Sequence, residues 1–82
     1  MDEKIIIYGA EWCAFCHQAM HYLDGIGVKY TYKNVDLSND DARAAVEKSG
    51  QMGIPVLDVD GKIIVGFNRP QLDQVLKEKQ LV

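Results

Sequence analysis

Two cysteines stand two residues apart in Glu11-Trp12-Cys13-Ala14-Phe15-Cys16-His17. An apolar run ends at Tyr8 just before them, and the stretch after them reads as helix, so the spacing puts a dithiol at a helix start. Only a thiolate attacks a disulfide, and a free cysteine, with a pKa of about 8.5, is mostly protonated at neutral pH. Unpaired N–H groups and the dipole at a helix start stabilise the anion, which makes Cys13 the nucleophile. Cys16, one helical turn further in, is the more buried sulfur and lies within disulfide reach. It resolves the mixed disulfide and releases the reduced partner. Ala14 and Phe15 between them tune the potential.

The same residues admit other chemistries. A purely structural disulfide is a poor use of this pair, because so small a loop scarcely constrains the unfolded chain. Cys13-Ala14-Phe15-Cys16-His17 also matches the C-x-x-C-H string of covalent haem attachment. That chemistry normally needs export, and Met1-Asp2-Glu3-Lys4 followed by only Ile5-Ile6-Ile7 carries no export segment. Cys13, Cys16, His17 and His21 form a third possibility, a metal site, but four ligands so close along one helix struggle to surround an ion tetrahedrally. No metal is therefore expected. His17 reads as a partly exposed helix residue whose cationic form assists the thiolate, and His21 as surface.

Composition narrows the setting. The chain has 82 residues, 48 % hydrophobic and 26 % charged with a net charge of -3, which suits one soluble domain over residues 1–82 with a lean core. No apolar run is long enough to span a bilayer. No Lys/Arg cluster offers a nucleic-acid surface. Two cysteines in a redox pair, without the staples of small secreted domains, point to the cytoplasm. A monomer is expected.

The elements that must position the dithiol follow from pattern. Lys4 to Tyr8 is a β-branched run suited to a strand covered on both faces, broken by Gly9-Ala10-Glu11-Trp12. From Cys13 to Leu23, the positions Cys16, Ala19, Met20 and Leu23 recur at helical spacing, and Gly25 and Gly27 supply the stop. Val28 to Val35 alternates as a second strand, parallel to the first through a right-handed crossover. Ser38 caps a helix over 39–49 whose small apolar face is Ala42, Ala45 and Val46, and Gly50 ends it. Two strands, Ile54 to Val59 and Lys62 to Gly66, flank the hairpin signal Asp60-Gly61. Asn68 caps a last helix with Pro70 in its first turn and Gln71 completing a capping box; Leu72, Val75, Leu76 and Leu81 form its buried stripe. The order is β-α-β-α-β-β-α, an α/β fold.

A C-x-x-C after strand one, an Ile-Pro opening strand three, and a hairpin followed by Gly66 and a closing helix together resemble the thioredoxin fold in its minimal, glutaredoxin-sized form. The likeness covers nearly the whole chain. The segment from Glu47 through Ile54-Pro55-Val56 and Asp60-Gly61 to Gly66-Phe67-Asn68-Arg69 is similar to glutaredoxin-like proteins of the YruB type. Gly66-Phe67-Asn68-Arg69-Pro70 is also similar to the NrdH-type redoxins that supply electrons to ribonucleotide reductase. The resemblance implies a four-stranded mixed sheet in order 2-1-3-4, with helices one and three on one face and helix two on the other. It also implies a cis Ile54–Pro55 bond beside Cys13, which would turn the backbone of Ile54 outward to pair with an extended substrate. As the first residue of a strand, Pro55 is also structurally tolerable.

The implied activity is that of a thiol-disulfide oxidoreductase reducing protein disulfides, an electron donor in cell redox homeostasis with no tightly bound cofactor. Expected substrate-binding residues are Trp12, Phe15, Ile54, Pro55, Gly66, Phe67, Asn68 and Arg69. Trp12 reads equally as a substrate-facing plate or as loop packing, and Phe15 as an exposed aromatic that invites docking. Glutaredoxins hold glutathione with a basic residue shortly before the C-x-x-C, a Thr-Val-Pro segment, and a Gly-Gly pair before an acidic helix start. Here Glu11 adds negative charge where the anionic tripeptide approaches, and Phe67 replaces the second glycine. Arg69 recovers at most one carboxylate contact. Glutathione is thus expected as a weak co-substrate, with a thioredoxin-reductase-type flavoprotein as the main reductant. Ala14, in place of the usual active-site proline, leaves open a carrier of a glutathione-ligated [2Fe-2S] cluster. A redox-sensing module without turnover is a third class.

Overall fold

The computed structural model describes residues 4–81. Met1-Asp2-Glu3, read above for an export signal, and Val82 lie outside the described residues. Seven elements follow in the expected order: β1 (Ile5–Gly9), α1 (Ala14–Gly25), β2 (Thr31–Asn34), α2 (Asn39–Ser49), β3 (Val56–Val59), β4 (Lys62–Val65) and α3 (Arg69–Glu78). They build one sheet in the order β2-β1-β3-β4. β1 pairs parallel with β2 and antiparallel with β3, and β3 pairs antiparallel with β4. This is the thioredoxin-like fold.

Alternation along the strands divides the interior into two layers. Ile5, Ile7, Leu57, Val59 and Ile64 point to one face, where they meet Ala19 and Leu23 of α1 and Leu72, Val75 and Leu76 of α3. Tyr8 and Val56 point to the other face and meet Ala45 of α2, with Ile6, Val35, Ala44 and Ile63 around them. Helices one and three thus share a face and helix two covers the other, as the resemblance implied.

Boundaries differ from the sequence reading in instructive ways. β1 runs through Gly9, because Gly9 still pairs with Asn34 and its carbonyl accepts the Val35 N–H at 2.9 Å. β2 begins at Thr31, not Val28. Val28 instead closes the end of α1, donating its N–H to the Leu23 carbonyl at 3.0 Å, and packs on the large core. All four β2 residues are half-buried, so the expected inside-outside alternation is absent from this edge strand. Ile54 and Pro55 lie ahead of β3 rather than within it, and Gly66 follows β4. On α2 the apolar face narrows to Ala45 and Ala44, while Val46 stands exposed.

The caps obey local chemistry. The Ser38 hydroxyl accepts the Asp41 N–H, Gly50 closes α2 in the left-handed conformation, and the Asn68 side chain accepts the Gln71 N–H. The hairpin turns through Asp60 and Gly61, both at positive φ, the conformation an Asp-Gly pair supplies most readily.

Candidate functional site

The site is built from the backbone that carries β1 into α1. Ala10, wholly buried, accepts the Cys13 N–H on its carbonyl at 3.1 Å, which turns the chain from strand to helix. Cys13 is not the first helical residue, as the periodicity suggested, but the N-cap, with extended φ and ψ. Its sulfur accepts the Cys16 N–H at 3.2 Å. A cap position normally filled by a Ser or Asp oxygen is thus filled by sulfur, and an anionic sulfur is the better acceptor there.

The Cys13 and Cys16 sulfurs are joined in a disulfide, with the Cα atoms 5.2 Å apart. Their exposures differ in the way sequential attack needs. Cys13 retains 6 % of its surface and Cys16 none, so of the two residues only Cys13 meets solvent. The inner sulfur is sealed from beneath by Gly9. A methyl group built on Gly9 would stand 2.7 Å from the Cys16 sulfur, closer than such atoms approach, so only glycine fits there. Gly9 and Ala10 are site residues that the sequence reading passed over as a break in pattern. Two small residues between a buried strand and a dithiol were the available signal.

Around the pair stands a rim of side chains tied to one another. The Trp12 ring is 71 % exposed, and its indole N–H donates to Asp36 Oδ2 at 2.7 Å. Trp12 is therefore held by its polar edge with its face in solvent, instead of being packed into the loop. The Tyr32 hydroxyl donates to Glu11 Oε2 at 3.2 Å. Burial raises the Tyr32 phenol above its ordinary pKa, and Glu11 and Asp36 reinforce the shift by hydrogen bond and charge. His17 Nε2 donates to the Glu11 carbonyl at 2.7 Å, while His21 is exposed. Phe15, 60 % exposed, presents a second aromatic surface beside the sulfurs in sequence.

Ile54 packs against Ala10, Cys13 and Cys16, and its bond to the buried Pro55 is cis. Gly66, at positive φ, donates its N–H to the Pro55 carbonyl at 2.8 Å, so the turn after β4 holds the proline from behind. The residues that follow serve α3. Asn68 caps it. Phe67 packs on the large core, tilted against Tyr22 with ring centroids 6.0 Å apart. The Arg69 guanidinium lies 4.5 Å from the ring centre of Tyr22, whose hydroxyl donates to Asp73. Of the expected residues, Cys13, Cys16, Trp12, Ile54 and Pro55 thus gather at one place, with Gly66 behind. Phe67 and Arg69 gather around Tyr22.

α2 and the segment 51–54 line an open groove of about 240 Å³, together with Trp12 and Asp36. It adjoins the dithiol through Ile54, which lines the groove and also packs against Cys13 and Cys16.

The family model described as glutaredoxin matches residues 5–64. An uncharacterised glutaredoxin-like 8.6 kDa protein in a rubredoxin operon of Clostridium pasteurianum is 31 % identical over 74 residues, covering 90 % of this chain and 99 % of that protein. Among solved structures, a glutaredoxin from Archaeoglobus fulgidus superposes with a TM-score of 0.80 at 20 % identity, over 92 % of this chain and 87 % of the other. A buckwheat glutaredoxin, solved in complex with glutathione, superposes with a TM-score of 0.75 at 20 % identity, over 96 % and 81 % of the two chains. With its cysteine pair at disulfide distance on this fold, the chain belongs to the glutaredoxin family.

Proposed function

We propose that this protein is a thiol-disulfide oxidoreductase that reduces disulfides on protein partners in the cytoplasm, acting as a monomer. In the first step the Cys13 thiolate attacks one sulfur of the partner's disulfide. The new Cys13–partner bond forms as the partner's other sulfur leaves as a thiolate and takes up a proton. In the second step the Cys16 thiol loses its proton and attacks the Cys13 sulfur. The partner departs with its second thiol, and the Cys13–Cys16 bond holds the two electrons' worth of oxidation until a reductant reopens it.

The observation that carries the reading is the sulfur of Cys13 at the N-cap of α1, taking the Cys16 N–H at 3.2 Å while Cys16 itself is wholly buried. The donated N–H and the helix dipole favour the anion on the outer sulfur, and burial disfavours it on the inner one.

For the reductant, we favour a thioredoxin-reductase-type flavoprotein over glutathione. Glu11 sets a carboxylate two residues before Cys13, where it repels an anionic tripeptide, and Arg69 is engaged on Tyr22 instead of standing free. The test is a trapping series with a disulfide-bearing protein substrate. Cys16→Ser is expected to accumulate the mixed disulfide through Cys13, and Cys13→Ser to lose reductase activity. Retained activity in Cys13→Ser would overturn the order of attack. Faster turnover with glutathione and its reductase than with thioredoxin reductase would overturn the choice of electron source.

A further inference from the structure

The groove beside the dithiol is built for one kind of neighbour. Among the described residues, seven large hydrophobic side chains are exposed, and three of them, Trp12 at 71 %, Val46 at 37 % and Met52 at 87 %, line this groove. Such a concentration on a small soluble protein marks a surface that another molecule covers. Its volume, about 240 Å³, lies below that of pockets for cofactors and drug-sized ligands, which start at about 300 Å³. The space suits a side chain of an extended peptide.

Charge identifies the peptide further. Asp36 is the single charged residue lining the groove, and no cation stands among the lining residues. Its Oδ2 holds the Trp12 indole at 2.7 Å, and its backbone N–H is satisfied by Asn34 Oδ1 at 2.9 Å. Asp36 is exposed, and among the described residues no side chain or backbone N–H donates to its second carboxylate oxygen. Flanking residues carry both signs but more negative charge, with Glu11 next to Trp12 and Asp40 and Asp41 in the first turn of α2, against Arg43 on that helix and Lys33, which pairs with Asp41 at 3.8 Å.

We infer that this groove receives the segment of a protein substrate next to its reactive cysteine, seating an apolar side chain against Val46 and Ile54 and a Lys or Arg against Asp36. The inference rests on the disulfide-reductase reading and names the substrate class that the site selects. Asp36 is then a specificity residue with two functions, holding Trp12 and meeting the cation.

The test uses the full chain, reduced beforehand and freed of reductant, in single turnover. The probes are two short peptides whose cysteine carries 2-mercaptoethanol in disulfide linkage, one with Leu and Arg flanking the cysteine and the other with Leu and Glu. Each turnover oxidises the Cys13–Cys16 dithiol to the disulfide and frees the peptide thiol and 2-mercaptoethanol. Every rate is divided by the same sample's rate with bis(2-hydroxyethyl) disulfide, which cancels changes in the dithiol itself. The basic peptide is expected to react about fivefold faster than the acidic one at low salt, with the gap closing at high salt. Asp36→Asn keeps an acceptor for the indole and removes the charge, so it should abolish the preference. Val46→Lys, at an exposed helix position, should reverse it.

Equal normalised rates for the two peptides would overturn the inference, as would a preference that survives Asp36→Asn. Dimerisation lost in Val46→Lys would assign the groove to a second copy of the chain and overturn it too. If the reduced chain leaves all three disulfides intact, the reductase reading fails and takes this inference with it. Reduction of the small disulfide without peptide preference defeats the inference alone.

Discussion

The two faces of the sheet are filled differently. On the face covered by α1 and α3, ten buried residues, nine of them Ile, Leu or Val, form a continuous dry layer. On the face covered by α2, the buried layer is Tyr8, Ala45 and Val56, and α2 is held largely by a polar clasp. Lys48 Nζ donates to Asp58 Oδ2 at 2.7 Å and to the Tyr8 hydroxyl at 2.8 Å, and lies 4.9 Å from the Tyr8 ring centre. The thick face fixes the start of α1, so the N-cap sulfur and its N–H donor keep their geometry. On the thin side, residues of α2 and of the segment 51–54 line the groove. Rigidity for the chemistry and openness for the partner are thus assigned to opposite faces of one small sheet.

That contrast can be broken from either face. Leu72→Ala, in the thick layer, is expected to cost about 2–5 kcal/mol, a large share of the stability of so small a domain; a denaturant melt showing a loss under about 1 kcal/mol would deny that this layer carries the fold. Gly9→Ala drives a methyl into the Cys16 sulfur and should cost about 1–3 kcal/mol, as overpacking does, although it removes no contact. A neutral outcome in thermal unfolding would show that the floor of the site yields.

Lys48→Met tests the clasp and should cost about 1 kcal/mol near neutral pH, lowering Tm by about 4–8 °C. Its pH dependence has a definite sign. Burial alone would lower the Lys48 pKa, but the hydrogen bonds to Asp58 and Tyr8 outweigh it and leave the folded value above the ordinary one. The folded state therefore holds this proton more tightly, and the added stability is complete below the ordinary lysine value and disappears as pH rises through the raised one. The gap between wild type and Lys48→Met should close under strongly alkaline conditions; a gap that widens there would contradict the clasp. Smallest of all, Val46→Ala should move stability by no more than about 0.5 kcal/mol, because the side chain is exposed on the groove and not in either layer.

Much of this was legible in residue order. The dithiol, the parallel crossover, the Asp60-Gly61 turn and the Ser38 and Asn68 caps are local signals, and each appears where the sequence put it. The sheet order and the cis bond at Pro55 came through family resemblance, because strand order depends on contacts between distant segments. What escaped the sequence was of the same long-range kind. The bond between Trp12 and Asp36 joins residues 24 apart, and the need for glycine at position 9 is visible only once Cys16 is packed over it. The early part of the expected second strand, from Val28, was lost to the closure of α1, a competition that alternation alone does not register.

The central claim is that the N-cap of α1 holds the Cys13 sulfur as an anion. Timed alkylation of the reduced protein with iodoacetamide across a pH series, read by peptide mass, measures this directly. Cys13 should be modified first at mildly acidic pH, with a midpoint well below the ordinary thiol value of about 8.5, while Cys16 stays protected. Preferential labelling of Cys16, or a Cys13 midpoint at or above that ordinary value, would contradict the account.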